Sequence, residues 1–326
     1  MPLIDRRTMS LLSLAAVSAP AMAWAAESYP SRPVHLIVGF TAGATSDVIA
    51  RIFAKAADPT LGQQIVVENK PGAGSSIAAE YVAHAAKDGY TLFLPTLSTL
   101  TDEITHPSRS ATLLKDFSPI ALLGSVALVL VVSPSVGVHN LSELIALAKS
   151  KPGKLSFASV GAGTILHLAG VLFAQRAGIE LLHVPYPGSP QAVTDVIAGR
   201  VTMVFAPASS VIGQLSAGKL VALGTAGTKR SSALPNVPTM AEAGMPNFDT
   251  GLWLGLMGPA GLPKPIVEKL TTAADKALQN PDAQKALVKQ GYDSHYLGPE
   301  QFGAYIKSEQ SRWSEVARAA GLTSKS

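Results

Sequence analysis

Six consecutive small or hydroxyl-bearing residues, Thr41, Ala42, Gly43, Ala44, Thr45 and Ser46, stand between an apolar run and a helical pattern. The run, 34–40, ends at Phe40 and has the length of a strand, while Val48, Ile49, Ile52 and Phe53 recur on one side of the helix that follows. A strand apolar on both faces must be covered on both, which is the habit of a parallel sheet in an α/β domain. The loop then falls at the carboxyl end of a strand and the amino end of a helix, where ligands of open α/β sheets bind. Free backbone N–H groups and the positive end of the helix dipole can hold an anion there without Lys or Arg. The same residues also suit a plain strand-to-helix turn with Thr45 or Ser46 as N-cap, Asp47 serving only to compensate the dipole.

Catalytic chemistry has few candidates. There is no Gly-x-Ser-x-Gly elbow, and the loops opening at Gly72 and Gly161 lack both the third glycine of a dinucleotide fingerprint and the Lys of a phosphate loop. Glu103 and His106 have a metal-ligand spacing but no third ligand nearby, which reads as a surface pair. His167, beyond the Gly161 loop, could approach a cleft, and His183 sits in a strand pattern; both read first as packed, hydrogen-bonded residues. Asp47 and Asp195 form no acid and base pair. The absence of cysteine removes disulfides, thiolate metal sites and cysteine nucleophiles. The expectation is a chain that is not an enzyme, with no metal and no cofactor, holding an anion by hydrogen bonds to its charge that contribute about 1.5 to 3 kcal/mol each.

These residues need elements to position them. At 326 residues, 47% apolar and 15% charged, the chain can build two ordinary domains. The formal charge of +4 comes from Lys and Arg scattered singly, with no basic run or zinc-finger spacing, so no nucleic-acid partner is expected. Residues 1–26 read as an export signal: Arg6-Arg7, an apolar stretch too short to span a bilayer, then Ala21-Met22-Ala23 and Ala23-Trp24-Ala25 as cleavage sites. The Sec and twin-arginine routes both remain open, and periplasm is the expected location.

The mature chain begins as βαβαβ, with strands at 34–40, 65–68 and 91–94, each followed by a loop rich in glycine or hydroxyls. Residues 101–119 show little periodicity. The run 120–132, broken at Gly124-Ser125, reads as two strands and a first crossing between domains. Asn140 with Glu143 resembles a capping box. The loop pattern then recurs after strands 155–158, 181–184 and 201–205, the last opening its loop at Ala206. Thr239 and Glu242 read as the capping box of a short helix, 249–258 as a strand returning to the first domain, and 266–279, 283–290 and 299–319 as closing helices. In the last of these Phe302, Ile306, Trp313 and Val316 form a buried stripe. The division expected is 27–124 with 250–326 as one domain and 125–249 as the other, joined by two crossings that flank a cleft.

The motifs along this path form a familiar series. Tyr29-Pro30-Ser31-Arg32-Pro33-Val34, Phe40-x-x-Gly43-x-x-x-Asp47, Val67-Glu68-Asn69-Lys70-Pro71-Gly72-Ala73-Gly74 and Asp88-Gly89-Tyr90-Thr91-Leu92 come first. Gly161-x-Gly163-Thr164 with His167-Leu168, His183-Val184-Pro185-Tyr186-x-Gly188, and Leu234-Pro235-Asn236-Val237-Pro238-Thr239-x-x-Glu242-Ala243-Gly244 follow. In this order, over the whole mature chain, they resemble the substrate-binding proteins of tripartite tricarboxylate transporters, the Bug or TctC-like receptors.

That resemblance implies a two-lobed periplasmic binding protein of type II, a Venus flytrap of two α/β domains, closing on a small organic acid and delivering it to the transporter's membrane permease subunits. A ligand-sensing receptor serving a sensor kinase is the alternative, an exported hydrolase the remote one, and the chain is expected to act as a monomer. It implies that the acid is held by backbone groups and ordered water of the first loop (Phe40, Thr41, Ala42, Gly43, Ala44, Thr45, Asp47) and of the loop after the third strand (Thr96, Ser98, Thr99). From the second lobe come Gly161, Ala162, Gly163, Thr164 and His167, then Tyr186, Gly188 and Ser189, with Ala206. The family often has Pro-Gly-Gly where this chain has Ala42-Gly43-Ala44, a change expected to make one positive φ costly. It often has Ser-Gly-Thr-His at 97–100, and Lys where Pro187 stands. The cleft should therefore suit an acid with an apolar or aromatic body over citrate, although Pro187 serves equally as a stiffener of the rim.

Overall fold

The computed structural model describes residues 29–108, 111–227, 229–319 and 321–322; the expected export signal lies outside them. The chain starts as β1 (Val34–Val38), α1 (Thr45–Leu61), β2 (Ile65–Asn69), α2 (Ser76–Ala83), β3 (Thr91–Leu94), α3 (Leu97–Thr105) and β4 (Phe117–Val126). It continues as β5 (Leu128–Val132), α4 (Leu141–Ser150), β6 (Ser156–Ser159), α5 (Ile165–Ala177), β7 (Leu182–Pro185), α6 (Ser189–Ile197), β8 (Met203–Pro207), α7 (Ala208–Ser216) and β9 (Val221–Ala226). It closes with β10 (Leu252–Pro259), α8 (Lys264–Gln279), α9 (Pro281–Lys289), β11 (Tyr292–Leu297) and α10 (Pro299–Ala319).

Two mixed sheets result, one ordered β11-β4-β10-β3-β1-β2 and the other β7-β6-β8-β5-β9. In the first, β1 is parallel to both neighbours and Val38 pairs with Asn69 and with Leu94, so three strands end level and three loops leave one edge. In the second, β6 runs parallel to β7 and β8. Val126 pairs with Leu252 in one sheet, and Leu128 pairs with Ala226 in the other. The two segments that change sheets are thus antiparallel neighbours, and the first crossing is the single residue Ala127. Leu128 also pairs with Pro207, so the carboxyl edge of β8 lies beside this crossing.

Hydrophobic burial explains which elements form. Val34, Leu36, Ile37 and Val38 of β1 are buried, as coverage of both faces requires. Phe302, Ile306 and Trp313 bury one face of α10, with Val316 packed at its margin, and α10 lies against β4 and α3. Each such side chain removed from water contributes about 1.5 to 3 kcal/mol. Gly255 makes room for this helix, since a Cβ there would overlap the Phe302 ring.

Several expectations fail, each for a local reason. The break between β4 and β5 is at Ala127 and not at Gly124-Ser125; Gly124, at φ 144°, lies inside β4, where the pairing shifts register and a Cβ would strike the Asp293 carbonyl. Helix α3 carries a short stripe, Leu97, Leu100 and Ile104, which the reading of 101–119 as aperiodic cut in two; Ser98, Thr99, Thr101, Asp102, Glu103 and Thr105 are buried as well, so polarity does not mark an outer face. Glu103 is therefore no surface residue: it accepts from the Leu113 N–H at 3.0 Å, and Gln310 donates to it at 3.2 Å. Thr239 and Glu242 do cap each other, at 2.8 and 3.1 Å, but around a turn too short to count as a helix. Edge strand β11 is half exposed and rich in polar residues, and its pattern gave no signal in the sequence.

Candidate functional site

Between the sheets lies a cavity of about 390 Å³. From the first sheet's loops it is lined by Gly39, Phe40, Thr41, Ala44, Thr45, Ser46, the stretch from Pro71 to Ser75, Thr96 and Ser98; across it stand Val160, Leu166, Pro187, Gly188, Ser189 and Pro207, with Leu252 at the crossing. Among the described residues no charged side chain lines it.

The amino ends of α1, α2, α3, α5, α6 and α7 converge on this space, through Thr45, Ser75, Thr96, Leu166, Gly188 and Pro207. Their N-caps are Ala44, Ser75, Thr96, Thr164, Gly188 and Pro207, and among the described residues the caps of α1, α2, α5, α6 and α7 make no side-chain bond to the first-turn N–H groups. Thr164 Oγ1 instead donates to the Gly161 carbonyl at 2.7 Å. By contrast, α4 and α9 begin away from the cavity and are capped by Asn140 and Asn280; α8 begins on Pro263 without a cap. Uncapped amino ends carry partial positive charge and unpaired donors, so several of them around one space make an anion site without a cation.

Asp47 shapes the first loop from behind. Its carboxylate, 3% exposed, accepts from the Gly43 N–H at 2.9 Å, from Arg51 at 2.9 and 3.2 Å and from Asn69 at 3.0 Å, while Asn69 also donates to the Phe40 carbonyl. Burial raises its pKa, but the bonds from Arg51, Gly43 and Asn69 outweigh this and hold it below the usual carboxylate value. The N-cap of α1 is Ala44, so neither Thr45 nor Ser46 has that place. Ala44 has φ −68°, an ordinary conformation, and the positive φ of the loop falls on Gly43, at 79°. The cost expected from the methyl group at 44 therefore does not arise.

Of the expected site residues, Phe40, Thr41, Ala44, Thr45, Thr96, Ser98, Gly188 and Ser189 line the cavity. Ala42 and Gly43 are exposed beside it, and Thr99 is buried, its hydroxyl accepting the Thr96 N–H at 3.1 Å. Gly161, Ala162, Gly163 and Thr164 are not on its wall. Gly163 meets the end of α3 instead, so closely that a Cβ would overlap Thr105 Oγ1. His167 accepts the Gly163 N–H at 3.2 Å and lies against His183, with ring centres 4.1 Å apart, and both rings stack on Phe157. Burial, then His183, lower the His167 pKa to about 4. Tyr186 donates to Asp195 at 2.6 Å, its own pKa pushed up to about 12 by burial and by that carboxylate. Ala206 is buried in β8, and its neighbour Pro207 reaches the wall. Ser46 and Pro187, expected as members of the first loop and of the loop from Tyr186 to Ser189, also line it, whereas Gly39, Val160, Leu166, Pro207, Leu252 and the stretch from Pro71 to Ser75 were not anticipated as site residues. The signal for that stretch was present, since it follows β2 at the same sheet edge as the loops that were chosen.

Comparison with known proteins gives concordant matches. Residues 49–322 match the family described as tripartite tricarboxylate transporter family receptor. The chain is 38% identical over 312 residues to a UPF0065 protein from the tcbD-tcbE intergenic region of a Pseudomonas species, covering 95% of this chain and 93% of that one. It is 36% identical to BugT of Bordetella pertussis over 312 residues, 95% of each. Among solved structures, the periplasmic binding protein BugD superposes with a TM-score of 0.83 at 33% identity, over 90% of this chain and 99% of that one. An R. palustris protein with adipate gives 0.85 at 32% identity, over 90% and 98%. MatC from Rhodopseudomonas palustris with bound malate gives 0.79 at 33% identity, over 88% and 99%. The two sheets are those of a periplasmic binding protein.

Proposed function

The chain belongs to the tripartite tricarboxylate transporter family of receptors, a family of solute-binding proteins and not of enzymes, and from that premise we propose that it captures a small organic carboxylate in the periplasm and delivers it to a membrane permease of that transporter type. The observation that carries the carboxylate is the cavity itself, ringed by uncapped helix amino ends and free of charged side chains among the described residues. Two related proteins are solved with adipate and with malate, which supports the same class. Thr41, Ala44, Thr45, Thr96, Ser98, Gly188 and Ser189 are the proposed contacts. Phe40, Val160, Leu166, Pro187 and Leu252 give the walls an apolar character that favours an acid with an apolar or aromatic body over citrate. Residues 1–26 are the proposed export signal; the proposed domains are the expected ones with the first boundary moved from 124/125 to Ala127, where the chain changes sheets, so that 27–126 goes with 250–326 and 128–249 forms the other. A ligand touching both lobes favours the closed state by its differential affinity for it.

The test is thermal unfolding of the chain from Glu27 onward, refolded from guanidinium to strip bound molecules, with adipate, malate, benzoate, citrate and glutamate. An acid at 100 times its dissociation constant should add about 2.7 kcal/mol and raise the midpoint by several degrees. Benzoate or adipate is expected to exceed citrate. A flat response to all five would sink the carboxylate reading.

A further inference from the structure

Gly72, Ala73, Gly74 and Ser75 all have positive φ, at 134, 45, 63 and 87°. Glycine takes such values freely, whereas a residue with a Cβ is strained there, so Ser75 occupies a place where glycine would rest more easily. Ser75 is also the N-cap of α2, but its hydroxyl caps nothing. The Oγ is buried without a hydrogen-bond partner among the described residues. Its neighbour Ser76 is different, donating to Asp102 at 2.6 Å.

Strain and an unpaired buried hydroxyl thus coincide at one residue on the cavity wall. Neither is offset by a contact within the described residues, and costs of this kind persist at sites where a ligand offsets them. The facing strand end is consistent with this: Gly39 has no side chain, and a Cβ there would overlap Ser75 Oγ. We propose that Ser75 is a specificity-determining residue of the cavity, its hydroxyl donating to an acceptor oxygen carried by the bound acid. The chemistry of that acceptor rests on the carboxylate reading above; the strained, unpartnered hydroxyl does not.

Two substitutions test it on the refolded chain from Glu27 onward. With no acid added, Ser75→Gly removes both the strain and the orphan hydroxyl, so its midpoint should rise by several degrees; a fall would mark Ser75 as structural and overturn the proposal. Ser75→Ala keeps the Cβ and removes only the donor. Titration calorimetry with adipate, malate and benzoate should show it about tenfold weaker for whichever acid the parent binds most tightly. Equal affinity would overturn the proposal. If the parent binds none of the three but responds to citrate or glutamate, that acid takes their place; if it binds none of the five, the carboxylate reading fails, and the acid-free comparison still decides the case of Ser75.

Discussion

Thr45 Oγ1 and Ser209 Oγ lie 2.8 Å apart across the cleft, although 164 residues separate them. Thr45 opens α1 on one lobe and Ser209 stands in the first turn of α7 on the other, so one bond ties two helix amino ends together. Thr45→Val and Ser209→Ala should each weaken binding of the best acid about 2- to 10-fold, mainly through faster dissociation. The double substitution should be no worse than either single one, because both remove the same bond; stopped-flow release rates on all four proteins check this, and additive losses would show that the hydroxyls act separately.

Gly163 is another place where the lobes meet closely. Gly163→Ala adds a methyl group at φ 83° and against Thr105 Oγ1, so it should cost about 1 kcal/mol of stability and weaken acid binding by blocking closure. Combining it with Thr105→Ala should recover binding and leave the stability loss in place. Calorimetry and chemical unfolding on the three proteins separate the two effects.

Asp47 sets the acid limit of the first loop. Its folded pKa lies below the unfolded value, so its contribution is present above about pH 4 and is lost as pH falls through the folded pKa. Asp47→Asn should lower stability at pH 7 by about 2 kcal/mol, and the difference from the parent should shrink as pH falls through the folded pKa. Urea unfolding between pH 2.5 and 7 reads this directly; an unchanged difference at low pH would mean that the charge is not what holds Arg51, Asn69 and Gly43.

His167 acts over a higher window. Its folded pKa of about 4 lies below the unfolded 6.5, so the unfolded chain takes up the proton first. Stability is full above about pH 6.5 and falls progressively toward pH 4, by less than about 3.4 kcal/mol because solvent screens part of the effect. His167→Asn keeps an acceptor for the Gly163 N–H and removes the titration, so its midpoint should drop less than the parent's between pH 6.5 and 4.5. Parallel profiles would assign that pH range to other groups.

Local pattern carried much of the fold. The level ends of β1, β2 and β3 follow from three apolar runs each ending in a small-residue loop, and the stripe on α10 from four apolar residues at helical spacing. Helix α3 was missed although Leu97, Leu100 and Ile104 stand at helical spacing, because three apolar residues mark so short a helix only faintly and its buried polar residues give no contrasting outer face. The wall from Pro71 to Ser75 was visible as a loop but not as a site, because its positive φ values depend on where the chain is held and no residue type announces them at Ala73 and Ser75. The loop at Gly161 has the composition of a ligand loop, and composition gave no sign that Gly161 to Thr164 lie off the cavity wall with Gly163 packed on Thr105.

The amino ends around the cavity have a consequence for how such a receptor changes over generations. Charge compensation that resides in the main chain is untouched by codon changes that leave the helices intact, so replacing Phe40, Pro187 or Leu252 alters the shape that is accepted without removing the attraction for an anion. A binding site built on a lone arginine can be silenced by one substitution. On the proposed function, variation at the walls is free to explore new acids while the grip on their charge is inherited unchanged.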